Sequence, residues 1–298
     1  MKPAVRPVSR RAPNSPLPEK TPIKSFDSSG VFLFTPALTF RTHYAASAGR
    51  PDRPEYPPIG ARIDYLLTNP SGEVKLEILD NAGKVVRNYS SEGGRTLPPQ
   101  GGGGGGGFRG RALPTTLPKK AGMNRFVWDL RYPGGAATGG GGEEGGFSGA
   151  GPLAPPGAYT ARLTANGVTR TESFTVRIDP RYAKDGITVA DLAEQTNFAL
   201  KVRDSLAEAR RLGERVKQAM DRPGADKAKL EALYYRIVNR PGPYPDNMLV
   251  EQFANVAREI GQADQKVGAS AFERYDELVR QLSAMKSEVD KVVGLASP

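Results

Sequence analysis

Three stretches decide the fold: VKLEILDNAGKVVRNYS (74–90), LPKKAGMNRFVWDLRYPG (117–134) and LAPPGAYTARLTANG (153–167). In the first, Val74, Leu76 and Ile78 alternate with Lys75 and Glu77, the period-two pattern of a half-buried strand. Asp80-Asn81-Ala82-Gly83 supplies a hairpin turn, with Asn and Gly tolerating positive φ, and KVVRNYS returns. In the second, NRFVWDLR sets Phe126 and Trp128 on one face. In the third, a Pro-Pro-Gly turn leads into AYTARLTA, and ESFTVRI follows. With ARIDYLLT (61–68) ahead of them, these segments make about six or seven strands at hairpin-like spacing. That spacing predicts an Ig/fibronectin-like antiparallel β-sandwich over 58–180, with Leu76, Ile78, Phe126, Trp128, Tyr159 and Leu163 in its core.

The pattern changes after Asp179-Pro180. Thr188 with Asp191 three residues on is a capping box. Phe198, Val202, Leu206, Ala209, Val216 and Ala219 then recur at helical spacing, and Arg222-Pro223-Gly224 stops the run. Leu230, Leu233, Tyr234, Ile237 and Val238 mark a shorter helix before Arg240-Pro241-Gly242-Pro243. Leu249, Phe253, Val256, Ile260, Ala263 and Val267 form a narrow seam. Tyr275, Leu278, Leu282, Met285, Val289 and Val292 form another, after a second capping box from Ser270 to Glu273. Such seams predict an antiparallel α-helical bundle over 187–293. The fold class expected is α+β multidomain, sandwich first and bundle second.

The remaining segments are irregular. Residues 1–30 are basic and Pro-rich and read as a disordered tail. Residues 31–57 read as an extended docking segment. Its apolar island VFLFTPALTF (31–40) makes Val31, Phe32, Leu33, Phe34, Leu38 and Phe40 the candidate partner contacts, docking on the sandwich or on a neighbour. Gly-rich loops are expected at about 93–112 and 134–152, because ordering glycine carries the largest entropy cost.

Composition limits the chemistry. The 298 residues suffice for about two domains. The net charge of +10 divides as +5 over 1–60, +4 over 61–180 and +1 over 181–298, so the basic excess lies outside the helices. Without a basic helix face the sequence argues against a dedicated nucleic-acid reader. The chain has no Cys, which excludes disulfides and Cys-ligated zinc. The N-terminus lacks the apolar stretch of a signal peptide, and no run approaches the roughly 18 apolar residues of a membrane span.

No catalytic, cofactor-binding or metal-ligating residue is assigned, and no cofactor is expected. His43, the single histidine, stands without partners for catalysis or metal binding. The Gly runs match G-x-G-x-x-G trivially, but no helix follows them. Phe108-Arg109-Gly110-Arg111 is one RGG-like unit, which leaves weak nucleic-acid binding as an alternative. Glu143 and Glu144 are adjacent in a Gly-rich stretch and cannot face each other across a sugar as glycoside hydrolysis requires. Asp64, Asp80, Asp129 and Asp179 sit at strand positions or ends, where Asp turns or caps. Trp128 and Tyr132 with Tyr65 and Tyr159 could line a sugar platform, but Trp in an alternating strand reads as core.

LEILDNAGKVVR, AGMNRFVWDLRYPG and LAPPGAYTARLTANG resemble the Ig-like sandwich of flagellar hook-capping proteins and secretion-associated C-terminal domains. The span from VFLFTPALTFR (31–41) onward is similar to the C-terminal region of large bacterial sortilin-type β-propeller proteins, often labelled glycosyl hydrolase or BNR/WD40-like. The resemblance implies a non-catalytic accessory or scaffold module that packs on a β-propeller protein or domain, and an exported ancestry. A cytoplasmic location follows instead if Met1 is the true start. The sequence departs from that family in lacking any Ser-x-Asp-x-Gly-x-Thr-Trp Asp-box. The hydrolase label, kept as an alternative with its active site in a propeller, transfers to no residue here.

Overall fold

Residues 29–42, 59–92, 116–134, 150–223, 225–243 and 245–294 are described by the computed structural model. The tail up to residue 28, His43, the Phe108–Arg111 unit, Glu143 and Glu144 lie outside them.

Alternation places the strands. They are β1 (Val31–Leu33), β2 (Thr39–Arg41), β3 (Ala61–Leu67), β4 (Lys75–Asp80), β5 (Val85–Ser90), β6 (Gly122–Trp128), β7 (Arg131–Pro133), β8 (Ala150–Leu153), β9 (Gly157–Ala165) and β10 (Val168–Ile178). Among the described residues they form three sheets: β1-β3-β6, β2-β10-β9-β4-β5 and β7-β8. Asp80 fixes the β4–β5 turn, its Oδ1 accepting from the amides of Ala82 and Lys84. Asn166 and Gly167, at φ 50° and 76°, make the β9–β10 turn, where positive φ matches the strand twist. Gly151 is required by a close approach: a Cβ there would lie 2.0 Å from the Tyr132 carbonyl oxygen across β7–β8.

The described residues then form five helices: α1 (Pro180–Lys184), α2 (Val189–Met220), α3 (Lys227–Ile237), α4 (Leu249–Gly261) and α5 (Ala269–Gly294). The Thr188–Asp191 capping box opens α2 with both reciprocal bonds. Because α5 begins at Ala269, Ser270 falls inside its first turn and not at the cap. The seams face inward: Leu249, Phe253, Val256 and Ile260 of α4 and Leu278, Leu282, Met285 and Val289 of α5 are buried with Phe198, Val202 and Val216 of α2.

The expectation of an Ig/fibronectin-like antiparallel sandwich followed by a bundle is corrected. Among the described residues the fold is mixed α/β, with several sheets, one curled as a half-barrel, and five helices. β2 joins β10 in parallel, so the largest sheet is not antiparallel throughout. β7 and β8 form a sheet of their own beside α2. Alternation tells which face of a strand is apolar but not which strand it pairs with.

Segment boundaries shift for the same reason. Val31 and Leu33, expected as partner contacts, pair with β3 and are buried in the strands' own core. Ser29 and Gly30, expected in the disordered tail, bond to Arg170 and to the Thr68 amide. Residues 150–152, expected in a Gly-rich loop, are part of β8.

Candidate functional site

β2 carries the most unusual side chain of the fold. Thr39 and Arg41 face inward and Phe40 faces out. Arg41 is 3% exposed, yet it does not enter either apolar cluster. Its guanidinium instead meets polar groups from the start of α2, the loop after α4 and the β8–β9 connection. Nε donates to Asp264 Oδ1 at 2.9 Å, and Nη2 stands 2.9 Å from the same oxygen. Nη2 also donates to Gln195 Oε1 at 3.0 Å. Nη1 donates to the Ala154 carbonyl at 3.1 Å and to Thr196 Oγ1 at 3.2 Å.

The partners are themselves braced. Gln195 Nε2 donates to the carbonyls of Ile260 and Ala263, at 2.8 and 2.7 Å, satisfying acceptors left over where α4 ends. The Thr196 hydroxyl lies 2.9 Å from the Leu153 and Leu192 carbonyls. Burial pulls the Arg41 pKa down and the Asp264 carboxylate beside it pulls it back up. The guanidinium stays charged, because arginine starts so far above neutrality. Every nitrogen of the guanidinium has an acceptor, the condition under which a buried charge is tolerated. The arrangement offers no nucleophile and no proton acceptor poised toward an open volume. What it does is fasten the helices to the sheets.

Outside the junction, apolar surface faces outward at Leu38, just before β2, and at Phe40 on it, 46% and 38% exposed. Phe32 and Phe34 are half-buried and stack edge to face, ring centres 4.7 Å apart. Leu76, Ile78, Phe126, Trp128, Tyr159 and Leu163 are all inside the strands' core. Trp128 packs edge-on against Tyr159 and Phe174, at 5.2 and 6.2 Å, and its Nε1 donates to the Arg131 carbonyl. With Trp128, Tyr65 and Tyr159 buried, these rings form no sugar platform.

The four aspartates have local work. Asp64 pairs with Arg125 and Arg62. Asp80 holds its turn. Asp129 accepts from the Arg131 amide at 3.1 Å. Asp179 caps α1 and pairs with Arg181. Burial raises the Asp129 pKa, with the Arg131 amide bond and the Arg87 and Arg131 charges opposing it. Among the described residues no group of three or more His, Asp or Glu is placed to hold a metal. A shallow polar groove of about 270 Å³ lies beside α4 and α5 over Gln252, Asn255, Glu259 and Arg274. Arg274 is already engaged there by Gln252 and Glu277.

Arg41, Gln195, Thr196 and Asp264 were not singled out in the sequence. One signal was present for Arg41: position 41 shares a face with Thr39, and a charge on the inward face of a strand calls for a partner. Nothing local marks Asp264. No protein-family model matches the chain, and no curated protein matches it significantly. No helix among the described residues is long and apolar enough to cross a membrane.

Proposed function

We propose that the chain is a non-catalytic accessory module that packs on a β-propeller protein or domain and braces it. The observation that carries this reading is the exposed apolar pair Leu38 and Phe40, just before and on a sheet-edge strand that Arg41, next to Phe40, holds in place. Isolated exposed apolar residues are ordinary. Two on one immobilised edge form a preorganised contact, which loses little freedom on binding. The propeller as partner follows from the resemblance of the 31–41 segment and the strands after it.

Leu38→Asp together with Phe40→Asp tests the reading, because both side chains are exposed and the fold should persist. Capture of a propeller protein by the wild-type chain, lost in the double variant at an unchanged melting temperature, supports it. Capture unaffected by the double variant removes this surface from the interaction.

A further inference from the structure

The three-stranded sheet ends at the outer edge of β6. Among the described residues β6 pairs with β3 on one side and with no strand on the other. Which of its backbone groups face the open side can be worked out. The Phe34 amide donates to the Asp64 carbonyl at 3.0 Å, and the Thr68 amide to the Gly30 carbonyl at 2.9 Å, so the even-numbered residues of β3 bond toward β1. In an antiparallel ladder each residue turns both its N–H and its C=O to one side. The odd-numbered residues, Ala61 to Leu67, therefore bond to their β6 partners Trp128, Phe126, Asn124 and Gly122. Met123, Arg125 and Val127 are left with N–H and C=O directed away from the sheet.

The same three residues turn their side chains outward. Met123 is 56% exposed, the Arg125 side chain is 59% exposed, and Val127 is half-buried. Met123 continues an apolar row across the sheet, since Phe32 lies opposite Leu66 and Leu66 opposite Met123. Arg125 keeps its surface pairing with Asp64, whose side chain is 18% exposed, and Arg62 beside them is 56% exposed. Lys119 and Lys120, just before the strand, are exposed as well. The edge thus reads apolar, cationic, apolar, with backbone groups at each position that no described strand pairs.

We propose that this edge takes up an extended segment of a partner protein as a fourth strand, with apolar, acidic and apolar side chains at alternate positions facing Met123, Arg125 and Val127. Strand addition supplies affinity through the backbone and specificity through alternate side chains. A second copy of this chain is disfavoured as the occupant. Antiparallel self-pairing centred on β6 sets Arg125 against Arg125, and like charges directly opposite destabilise a sheet. The proposal rests on the interaction-module reading and adds a surface on the other sheet from Leu38 and Phe40.

The test uses the full chain and a fluorescent peptide, Thr-Val-Thr-Glu-Thr-Val-Thr, followed by anisotropy. Saturable binding is expected, weakened roughly tenfold when Lys replaces the Glu, with the preference reversed in Arg125→Glu. Methylating the backbone nitrogens of Val, Glu and Val should abolish binding, because those groups face β6. Methylating the intervening Thr nitrogens should leave it intact. Absence of saturation up to about 1 mM overturns the proposal. So does indifference to the methylation pattern, or a dimer of the free chain in sedimentation that excludes the peptide. If the peptide fails while the Leu38 and Phe40 variant still loses its propeller partner, this inference falls and the accessory-module reading stands.

Discussion

Arg41 and Asp264 stand 223 positions apart in the chain and 2.9 Å apart in space, and both are buried. The pair joins two apolar cores, one among the strands and one among the helices, through a polar junction. Removing one member of a buried pair strands the other charge, whereas removing both together does not.

Asp264→Ala should therefore cost about 3–5 kcal/mol. Arg41→Met combined with Asp264→Leu should cost less than either single change. Urea denaturation of the three variants measures this. A double variant as unstable as the sum of the singles would mean that the pair is not coupled.

Trp128 is the sole tryptophan and is fully buried against Tyr159 and Phe174. Trp128→Ala should destabilise the chain by about 3–5 kcal/mol, and Trp128→Phe by less. In the wild type, tryptophan emission should be blue-shifted and poorly quenched by iodide. Emission typical of a solvated indole would contradict the burial.

Asp129 gives a pH dependence of defined sign. Burial lets the folded carboxyl hold its proton to higher pH than the unfolded chain does, despite the Arg131 amide and the Arg87 and Arg131 charges. Its contribution to stability is full below the unfolded pKa and is lost as pH rises through the raised folded value. Asp129→Asn keeps the acceptor for the Arg131 amide and cannot ionise. The variant should match the wild type near about pH 3 and be the more stable near about pH 7. Urea midpoints at the two pH values check it, and an Asn variant weaker at neutral pH would refute it.

The α2 capping box is the simplest case. Thr188→Ala removes the acceptor for the Asp191 amide. A loss of about 1 kcal/mol is expected, read as a lower thermal midpoint. Thr188→Ser should restore most of it.

Much of this architecture was legible one element at a time. The alternation of Leu76 and Ile78, the turn at Asp80, the capping box at Thr188 and the seams of α4 and α5 each reflect forces acting within a few residues. What could not be read was pairing. Nothing in Thr39-Phe40-Arg41 announces that it lies parallel to Val176–Ile178. Nor does Val31 show whether its apolar side serves β3 or a partner. The sandwich-and-bundle expectation fails at that point, because spacing alone does not assign strands to layers. The junction was hidden for a related reason: Arg41 needs Asp264, and no local pattern links positions so far apart.

Phe40 and Arg41 are neighbours facing opposite ways on a three-residue strand. The peptide unit between them is planar and rigid. The bonds that hold the guanidinium inside therefore also fix where the phenyl ring stands outside. The placement of that edge thus depends on residues of α2 and of the loop after α4 that lie far away in the chain.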